Sequence, residues 1–148
     1  MRLGSDTLAR LQSLRQVMIP SGGRKVRPFW FAHSGVQTVI VPACVRELGE
    51  EAFRGCWALE RVILAWDSKL EKIGPNCFRD SGLRELSLAQ RLREVCDGAF
   101  SGCARLRQVH LPGRLERLGA GAFSGSALES IEIPAGVAVL EREVFAGC

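Results

Sequence analysis

The stretch from residue 98 to residue 134, GAFSGCARLRQVHLPGRLERLGAGAFSGSALESIEIP, contains nearly the same phrase twice. GAFSGCARLRQVHLP, at residues 98–112, is followed by GAFSGSALESIEIP, at residues 121–134. A phrase that returns at a fixed interval is the sequence signature of a repeat architecture, in which each copy forms one structural unit. The interval and the apolar pattern within it therefore decide which fold the chain adopts.

A phenylalanine marks each copy along the chain. Successive phenylalanines are 22 to 25 residues apart, and Leu8 stands where the phenylalanine of the first copy would be. The six anchors are Phe31, Phe53, Phe78, Phe100, Phe123 and Phe145. Five residues before each anchor stands another apolar residue, in the series Val26, Leu48, Ile73, Val95, Leu118 and Leu140.

An L-x-x-V-x-L phrase occurs in every copy, and four of the six phrases end in proline. The copies are Leu14/Val17/Ile19, Val36/Val39/Val41, Leu59/Val62/Leu64, Leu83/Leu86/Leu88, Leu106/Val109/Leu111 and Leu128/Ile131/Ile133. The V-x-L pair has a period of two residues, so both of its side chains fall on one face of a short strand. Proline cannot donate a hydrogen bond to a neighbouring strand, and it therefore ends the strand.

Copies of this kind must stack, because a single loop cannot bury its own apolar face whereas stacked loops can. The interval excludes ankyrin and tetratricopeptide units, which need about 33–34 residues, and it falls within the roughly 20–29 residues of leucine-rich repeats. We therefore predict one leucine-rich-repeat solenoid over residues 1–148, with six to seven repeats. Short parallel strands would form one face, with turns and short helical or irregular segments on the other.

The longer pattern, IP..V..LG..AF.GC..L..V.LP, resembles the BspA-like, or treponemal-type, leucine-rich repeat family from about Leu8 onward. The segment 64–70 departs from it by lacking the proline and carrying two inserted residues, and the asparagine that usually follows the strand phrase is missing. The resemblance implies a non-enzymatic protein-binding module. Members of the family are commonly surface proteins that mediate adhesion or host contact.

A second periodicity lies three residues after each phenylalanine, where serine and cysteine alternate. The series is Ser34, Cys56, Ser81, Cys103, Ser126 and Cys148. The larger unit is therefore a pair of repeats.

The cysteines are predicted to be reduced, buried fillers. Members of the cysteine series are two repeats apart, hence roughly 9–10 Å at the usual strand spacing, and a disulfide needs Cα atoms within about 7 Å. The chain has no C-x-x-C motif and no histidine at ligand spacing, which argues against zinc. We expect no metal and no cofactor.

Catalysis and nucleic-acid binding are not expected either. Neither His33 nor His110 has a serine or cysteine placed by the repeat to form a nucleophile–base pair, and the carboxylates alternate with arginines as solvated pairs do. The chain has 20 basic and 16 acidic residues, a net charge of +4. These charges alternate along the strands rather than forming the basic stripe that nucleic-acid binding requires. No apolar run approaches the roughly 20 residues of a membrane span.

The remaining candidate is the solvent side of the strands, where a protein partner of unknown identity would bind. One column of that face runs from apolar to polar along the chain, and extended surfaces of this kind are what solenoids offer to partners. An upstream repeat or a dimer partner could equally cover its apolar end. The candidate partner-binding residues are Met18, Ile40, Arg61, Ile63, Trp66, Glu85, His110 and Glu132. Trp66 lies in the inserted loop, where it is either a binding anchor or packs on the next turn.

The alternatives to adhesion are an intracellular scaffold and a structural terminal fragment of a larger repeat protein. The N-terminus has no apolar secretory segment, so the chain is expected either to stay inside the cell or to be an excerpt of a longer one. The resemblance implies the cell surface instead. The sequence also ends at FAGC, within a repeat and without a polar cap, which predicts self-association or a missing C-terminal partner segment.

Overall fold

Two series of short strands alternate along the chain in the computed structural model, which describes residues 15–148. Leu8 and Leu14, at the start of the repeat pattern, lie outside these residues. The odd-numbered strands are β1 (Gln16–Met18), β3 (Thr38–Val41), β5 (Arg61–Leu64), β7 (Glu85–Ser87) and β9 (Gln108–His110). The even-numbered strands are β2 (Lys25–Val26), β4 (Glu47–Leu48), β6 (Lys72–Ile73), β8 (Glu94–Val95) and β10 (Arg117–Leu118).

With one exception, between β5 and β7, each strand pairs in parallel with the strand two places along the chain, so the backbone coils as a solenoid. The odd strands form a three-stranded sheet, β1-β3-β5, and a two-stranded sheet, β7-β9. The even strands form one continuous sheet in the order β10-β8-β6-β4-β2. The predicted strand phrases thus form the first series, with Val17, Val39 and Val62 in register. The second sheet was not predicted. Each of its two-residue strands consists of the apolar residue five places before a phenylalanine and the residue that comes directly before that apolar residue in the chain.

The third side of the coil is a series of turns around the phenylalanines. Residues 15–148 contain no helix, so this side, for which turns and short helical or irregular segments were expected, consists of turns and irregular segments. The reason lies in the backbone, because each turn has residues with left-handed φ angles two places before and two places after its phenylalanine. The first of these positions is occupied by Phe29, Glu51, Asn76, Gly98, Gly121 and Glu143, and the second by His33, Gly55, Asp80, Gly102, Gly125 and Gly147. A right-handed helix cannot continue through such residues.

The phenylalanine rings form one stacked column through the core. Neighbouring ring centroids are 5.2 to 5.4 Å apart from Phe31 to Phe123, and 6.0 Å apart between Phe123 and Phe145. The planes of all these neighbours lie within 9° of parallel. The four rings from Phe53 to Phe123 are fully buried. The column therefore joins all six copies into one core.

A ribbon of backbone hydrogen bonds accompanies the ring column. The amide of Phe31 donates to the carbonyl oxygen of Ala52 at 2.8 Å, and the amide of Phe100 donates to that of Ala122 at 2.7 Å. Equivalent bonds link every phenylalanine through Phe123 to the residue preceding the next one. Each turn thus satisfies its backbone groups on the turn that follows, as buried amides require.

The alternation of serine and cysteine is a pairing of adjacent repeats. The Cys56 thiol donates to the carbonyl oxygen of Phe31 at 3.1 Å, and its sulfur lies 3.6 Å from the Ser34 hydroxyl oxygen. The same arrangement recurs between Ser81 and Cys103. It recurs again between Ser126 and Cys148. Each cysteine copy is therefore bonded to the serine copy that precedes it in the chain, which confirms the two-repeat unit.

The even-strand sheet carries an alternation of charge with the same two-repeat period. Its exposed column reads Lys25, Glu47, Lys72, Glu94 and Arg117 in register. The cations fall in the serine copies and the carboxylates in the cysteine copies. Lys25 lies 3.4 Å from Glu47 and Arg117 lies 2.7 Å from Glu94. Each exposed pair contributes up to about 1 kcal/mol, whereas like charges directly opposite would be destabilising.

The sixth copy differs from the prediction. Its phrase Leu128/Ile131/Ile133 forms no strand, and β9 and β10 are the last described strands of their sheets. Phe145 nevertheless stacks on Phe123, and the Phe123 amide donates to the carbonyl oxygen of Val144 at 2.9 Å. This copy contacts described residues on one side only, and in a solenoid each repeat is stabilised by its neighbours. The phenylalanine turn thus docks without the strands.

The cysteines also differ from the prediction in part. Four are buried, but Cys148 is exposed and Cys44 is half-buried. Cys148 lies in the last described copy, and none of the described turns covers it. The position of Cys44 in the turn after β3 leaves one side of its thiol open.

We expect Phe100→Ala to lower the free energy of unfolding by about 3–5 kcal/mol, because the substitution removes a fully buried ring from the middle of the column. Phe29→Ala is the matched control, since the Phe29 side chain is 53% exposed. Urea denaturation followed by circular dichroism measures both. Equal losses for the two variants would contradict the assignment of the core.

We expect Gly121→Ala to lower the free energy of unfolding by about 1 kcal/mol, because Gly121 has a φ of 64°. The added methyl group meets no steric obstacle, as its nearest neighbour is the Cβ of Ser124 at 3.9 Å. Gly113→Ala is the control, since Gly113 has an ordinary φ and open space around it. Thermal melting should show a loss for the first variant alone. A loss of the same size at both positions would refute the left-handed turn.

Candidate functional site

The solvent side of the odd strands, here called the odd-strand face, presents an apolar ladder at its N-terminal end. Met18, Ile40 and Ile63 are in register across β1, β3 and β5. Met18 is 68% exposed and Ile63 is 41% exposed, while Ile40 is half-buried between them. Alternation along each strand forces this arrangement, because the flanking residues of the strand phrase point into the core. The structure thus brings three of the predicted residues together.

Trp66, in the turn after β5, is a second exposed apolar feature. It lies two residues beyond the end of β5, in the turn formed by the inserted residues, where the Ser68 amide donates to the carbonyl oxygen of Ala65. Its side chain is 95% exposed. Trp66 therefore does not pack on the next turn, which was one of the two expectations for it.

The odd-strand face is interrupted between β5 and β7. No ladder hydrogen bonds join these two strands, although β7 pairs with β9. The interruption follows the longest interval between phenylalanines, from Phe53 to Phe78, which contains the inserted residues. An open cavity of about 720 Å³ lies over it, lined by residues 60–64 and 84–87 together with Gln108 and His110.

Charged side chains surround this cavity. Glu60 and Arg84 lie 3.8 Å apart as an exposed ion pair. Arg61 and Glu85, both exposed, are the predicted site residues on β5 and β7. Within residues 15–148, neither has an oppositely charged group within 4.0 Å. Both are therefore available to a partner.

A second cavity of about 630 Å³ lies at the C-terminal end of the same face. It is lined by residues 107–111 of β9 and its flanks and by residues 129–132. His110 and Gln108 line both cavities. The predicted residues His110 and Glu132 therefore belong to one continuous surface with Arg61, Ile63 and Glu85.

Sequence reasoning missed the interruption and the two cavities. It also passed over Glu129, which lines the second cavity beside Glu132. The only sequence signal for the interruption was the two-residue insertion, which indicates a change in the coil without indicating its geometry.

The cysteines do not add a reactive centre. Burial raises the pKa of the Cys103 thiol to about 11, against which its hydrogen bonds with Ser81 act in the opposite direction. Burial likewise raises the pKa of Cys77 well above its ordinary value. A reactive thiol needs a lowered pKa, so these two are structural. Within residues 15–148, no three side chains of histidine, cysteine, aspartate or glutamate are grouped as a metal site would require.

Helices that could cross a membrane are absent from the described part of the chain.

Solved structures of similar proteins share this coil. A leucine-rich repeat protein of T. pallidum is 29% identical, with a TM-score of 0.84 over 91% of this chain and 69% of that one. One from Bacteroides ovatus is 30% identical, with a TM-score of 0.81 over 89% of this chain and 34% of that one. The pneumococcal vaccine antigen PcpA is 17% identical with a TM-score of 0.64, a likeness of fold alone, and the chain spans 43% of its length.

Two stacked series of parallel strands with a buried phenylalanine column define a leucine-rich-repeat solenoid. The protein-family model described as "BspA type Leucine rich repeat region" matches this sequence over residues 2–90 and 24–148. The chain therefore belongs to the BspA type leucine-rich repeat family, as its sequence pattern predicted. A comparison with curated proteins gives no match. The family and the related structures make the chain a repeat module of the kind that serves protein interaction.

We expect the free energy of unfolding to decrease between about pH 9 and pH 11. The folded state keeps the proton of Cys103 up to about pH 11, whereas an exposed thiol loses it near pH 9.0. The contribution of Cys103 is therefore complete below pH 9 and is lost as the pH rises through this window, by up to about 2 kcal/mol for this thiol. The raised pKa values of Cys56, Cys77 and Cys96 add to the decrease in the same direction. The chain has no tyrosine to add to the change.

Chemical denaturation at pH 8 and pH 10.5 measures this decrease. Cys103→Ala should reduce it, while Cys148→Ala, which removes an exposed thiol, should not. If the free energy of unfolding decreases as much in Cys103→Ala as in the unmodified chain, groups other than Cys103 cause the decrease.

Proposed function

We propose that the chain is a non-enzymatic module that binds another protein through the odd-strand face. The observation that carries the proposal is the exposed apolar ladder of Met18, Ile40 and Ile63, together with the exposed Trp66 in the turn that follows β5. Exposed contiguous apolar surface on a folded domain is typical of interaction sites, and tryptophan is enriched among the residues that dominate binding energy. The charged residues of the two cavities extend the same surface.

The finer proposal is a role in adhesion or host contact, which the family resemblance supports. The ladder favours no particular partner, so an intracellular scaffold and a structural segment of a longer repeat protein are the alternatives. The identity of the captured partner separates these roles. Extracellular-matrix proteins would indicate adhesion, and proteins of the source cell would indicate a scaffold.

We expect Ile63→Ser combined with Trp66→Ala to abolish capture of a partner that the unmodified chain retains. Purified chain would be offered extracellular-matrix proteins and, separately, a lysate of the source cell. Each removed apolar side chain eliminates contact area that a partner would otherwise bury.

Trp57→Ala is the matched control. Trp57 is also an exposed tryptophan, 71% exposed, but it lies in the turn that precedes β5 rather than beyond its end. Loss of the partner with this control as well, or retention by the double variant, would place the binding surface elsewhere.

We place self-association through the C-terminal end second. Val139 and Leu140 are 70% and 53% exposed there. Within the described residues, the amides of Glu143, Phe145 and Gly147 have no acceptor, although their equivalents in the preceding turn are bonded. We expect a concentration-dependent increase in mass by sedimentation, reduced by Val139→Lys. A constant monomer mass for the unmodified chain would reject this second role.

A further inference from the structure

We propose that the odd-strand face binds an extended segment of about seven or eight residues, with apolar side chains at one end and a lysine or arginine at the other. The apolar end would lie on Met18, Ile40 and Ile63, and the basic side chain would lie beside Glu129 and Glu132. This inference rests on the proposed function, because it names the chemistry of the partner at the same surface.

The length of the segment follows from the spacing of the strands. Hydrogen-bonded strands are about 4.8 Å apart, and the two unpaired steps, from β5 to β7 and beyond β9, are at least as long, so the five steps from Met18 to Glu132 span at least about 24 Å. An extended chain covers about 3.3 Å per residue, which gives seven or eight residues. The odd strands are only three or four residues long, so the surface is a narrow strip along the solenoid axis.

An extended segment fits the interruption between β5 and β7 better than a helix does. The facing edges of these strands carry no ladder hydrogen bonds, and residues of both strands line the larger cavity. A segment along the solenoid axis crosses these edges nearly at right angles and can bond to them only at single points. An extended peptide has free amide and carbonyl groups for such bonds, whereas a helix has already used its own internally. The face is also apolar over only half of its length, so a helix with a continuous apolar stripe would not match it.

The basic end of the segment follows from charge. The smaller cavity is lined by the carboxylates of Glu129 and Glu132 and by one guanidinium group, that of Arg107. Over the described residues, neither carboxylate has a cation within 4.0 Å. This local excess of negative charge stands on a chain whose net charge is +4. A cationic side chain is therefore attracted to this end of the face.

The spacing of the two ends is a further consequence. Ile63 and Glu132 are three steps apart along the face, at least about 14 Å, since two of these steps are not bridged by ladder hydrogen bonds. The basic residue of the bound segment should therefore stand four or five positions from the apolar residue that contacts Ile63. The acidic end of the face does not determine whether the bound segment runs from N- to C-terminus in one direction or the other. Peptides whose basic residue comes before the apolar residues and peptides whose basic residue comes after them therefore both satisfy the proposal.

A random octapeptide library displayed on phage, selected on the immobilised chain, tests the proposal. We expect enriched peptides to combine apolar residues with a lysine or arginine four or five positions away. Synthetic copies labelled with fluorescein would then be titrated by anisotropy. Glu129→Gln combined with Glu132→Gln should weaken them about tenfold, and Ile63→Ser should weaken them as well.

Glu116→Gln is the control, because Glu116 is an exposed glutamate beside the even-strand sheet and should leave the affinity unchanged. Peptides that depend on Ile63 but lack a basic residue, or that ignore the paired glutamine substitutions, would overturn this inference and leave the proposed function standing. Enriched peptides that ignore Ile63, or no enrichment at all, would overturn both.

Discussion

The stacked phenylalanine column is the interaction on which the rest of the structure depends. Its rings repeat every 5.2 to 5.4 Å through the first five copies, close to the roughly 4.8 Å between hydrogen-bonded strands. Turns held at this interval bring the even strands within bonding distance throughout. Where the separation widens to 6.0 Å, between Phe123 and Phe145, neither strand of the next copy forms. The odd-strand sheet has one further break, between β5 and β7, where the rings keep their regular spacing, and this break accompanies the inserted loop.

The two-repeat unit specifies which turns can be neighbours. A cysteine thiol bonds to the preceding phenylalanine carbonyl and lies against a serine hydroxyl, and the charges of the even strands alternate with the same period. Exchanging a serine copy for a cysteine copy would bring like charges opposite one another. Each exposed ion pair contributes little to the free energy of unfolding. The thiol bonds and the ion pairs therefore determine which turns are neighbours, while the stability comes from the buried phenylalanine column. The odd-strand face is then free to vary, and its apolar and acidic ends are where a partner would be distinguished.

The sequence predicted those parts of the structure that depend on periodicity alone. The spacing of the phenylalanines predicted the coil, and the V-x-L pairs predicted which side chains of the odd strands face solvent, including Met18 and Ile63. The even-strand sheet could not be read from its two-residue strands, which are too short to show alternation. The absence of strands in the sixth copy has no signal in the sequence, because its phrase Leu128/Ile131/Ile133 has the same pattern as the others. The interruption after β5 depends on how an inserted loop is accommodated, and for this reason the cavities and the position of Glu129 in the second of them were missed.

Amide hydrogen exchange tests the central account most directly, because it reports the bonding of each turn separately. The phenylalanine column predicts slow exchange for the amides of Phe53, Phe78 and Phe100, whose bonds to the following turn lie in the buried core. It predicts fast exchange for residues 130–133, where no strand forms, and for the amide of Phe145. Fast exchange of the phenylalanine amides alongside protected strand residues would contradict the account, since the sheets and not the column would then hold the turns together.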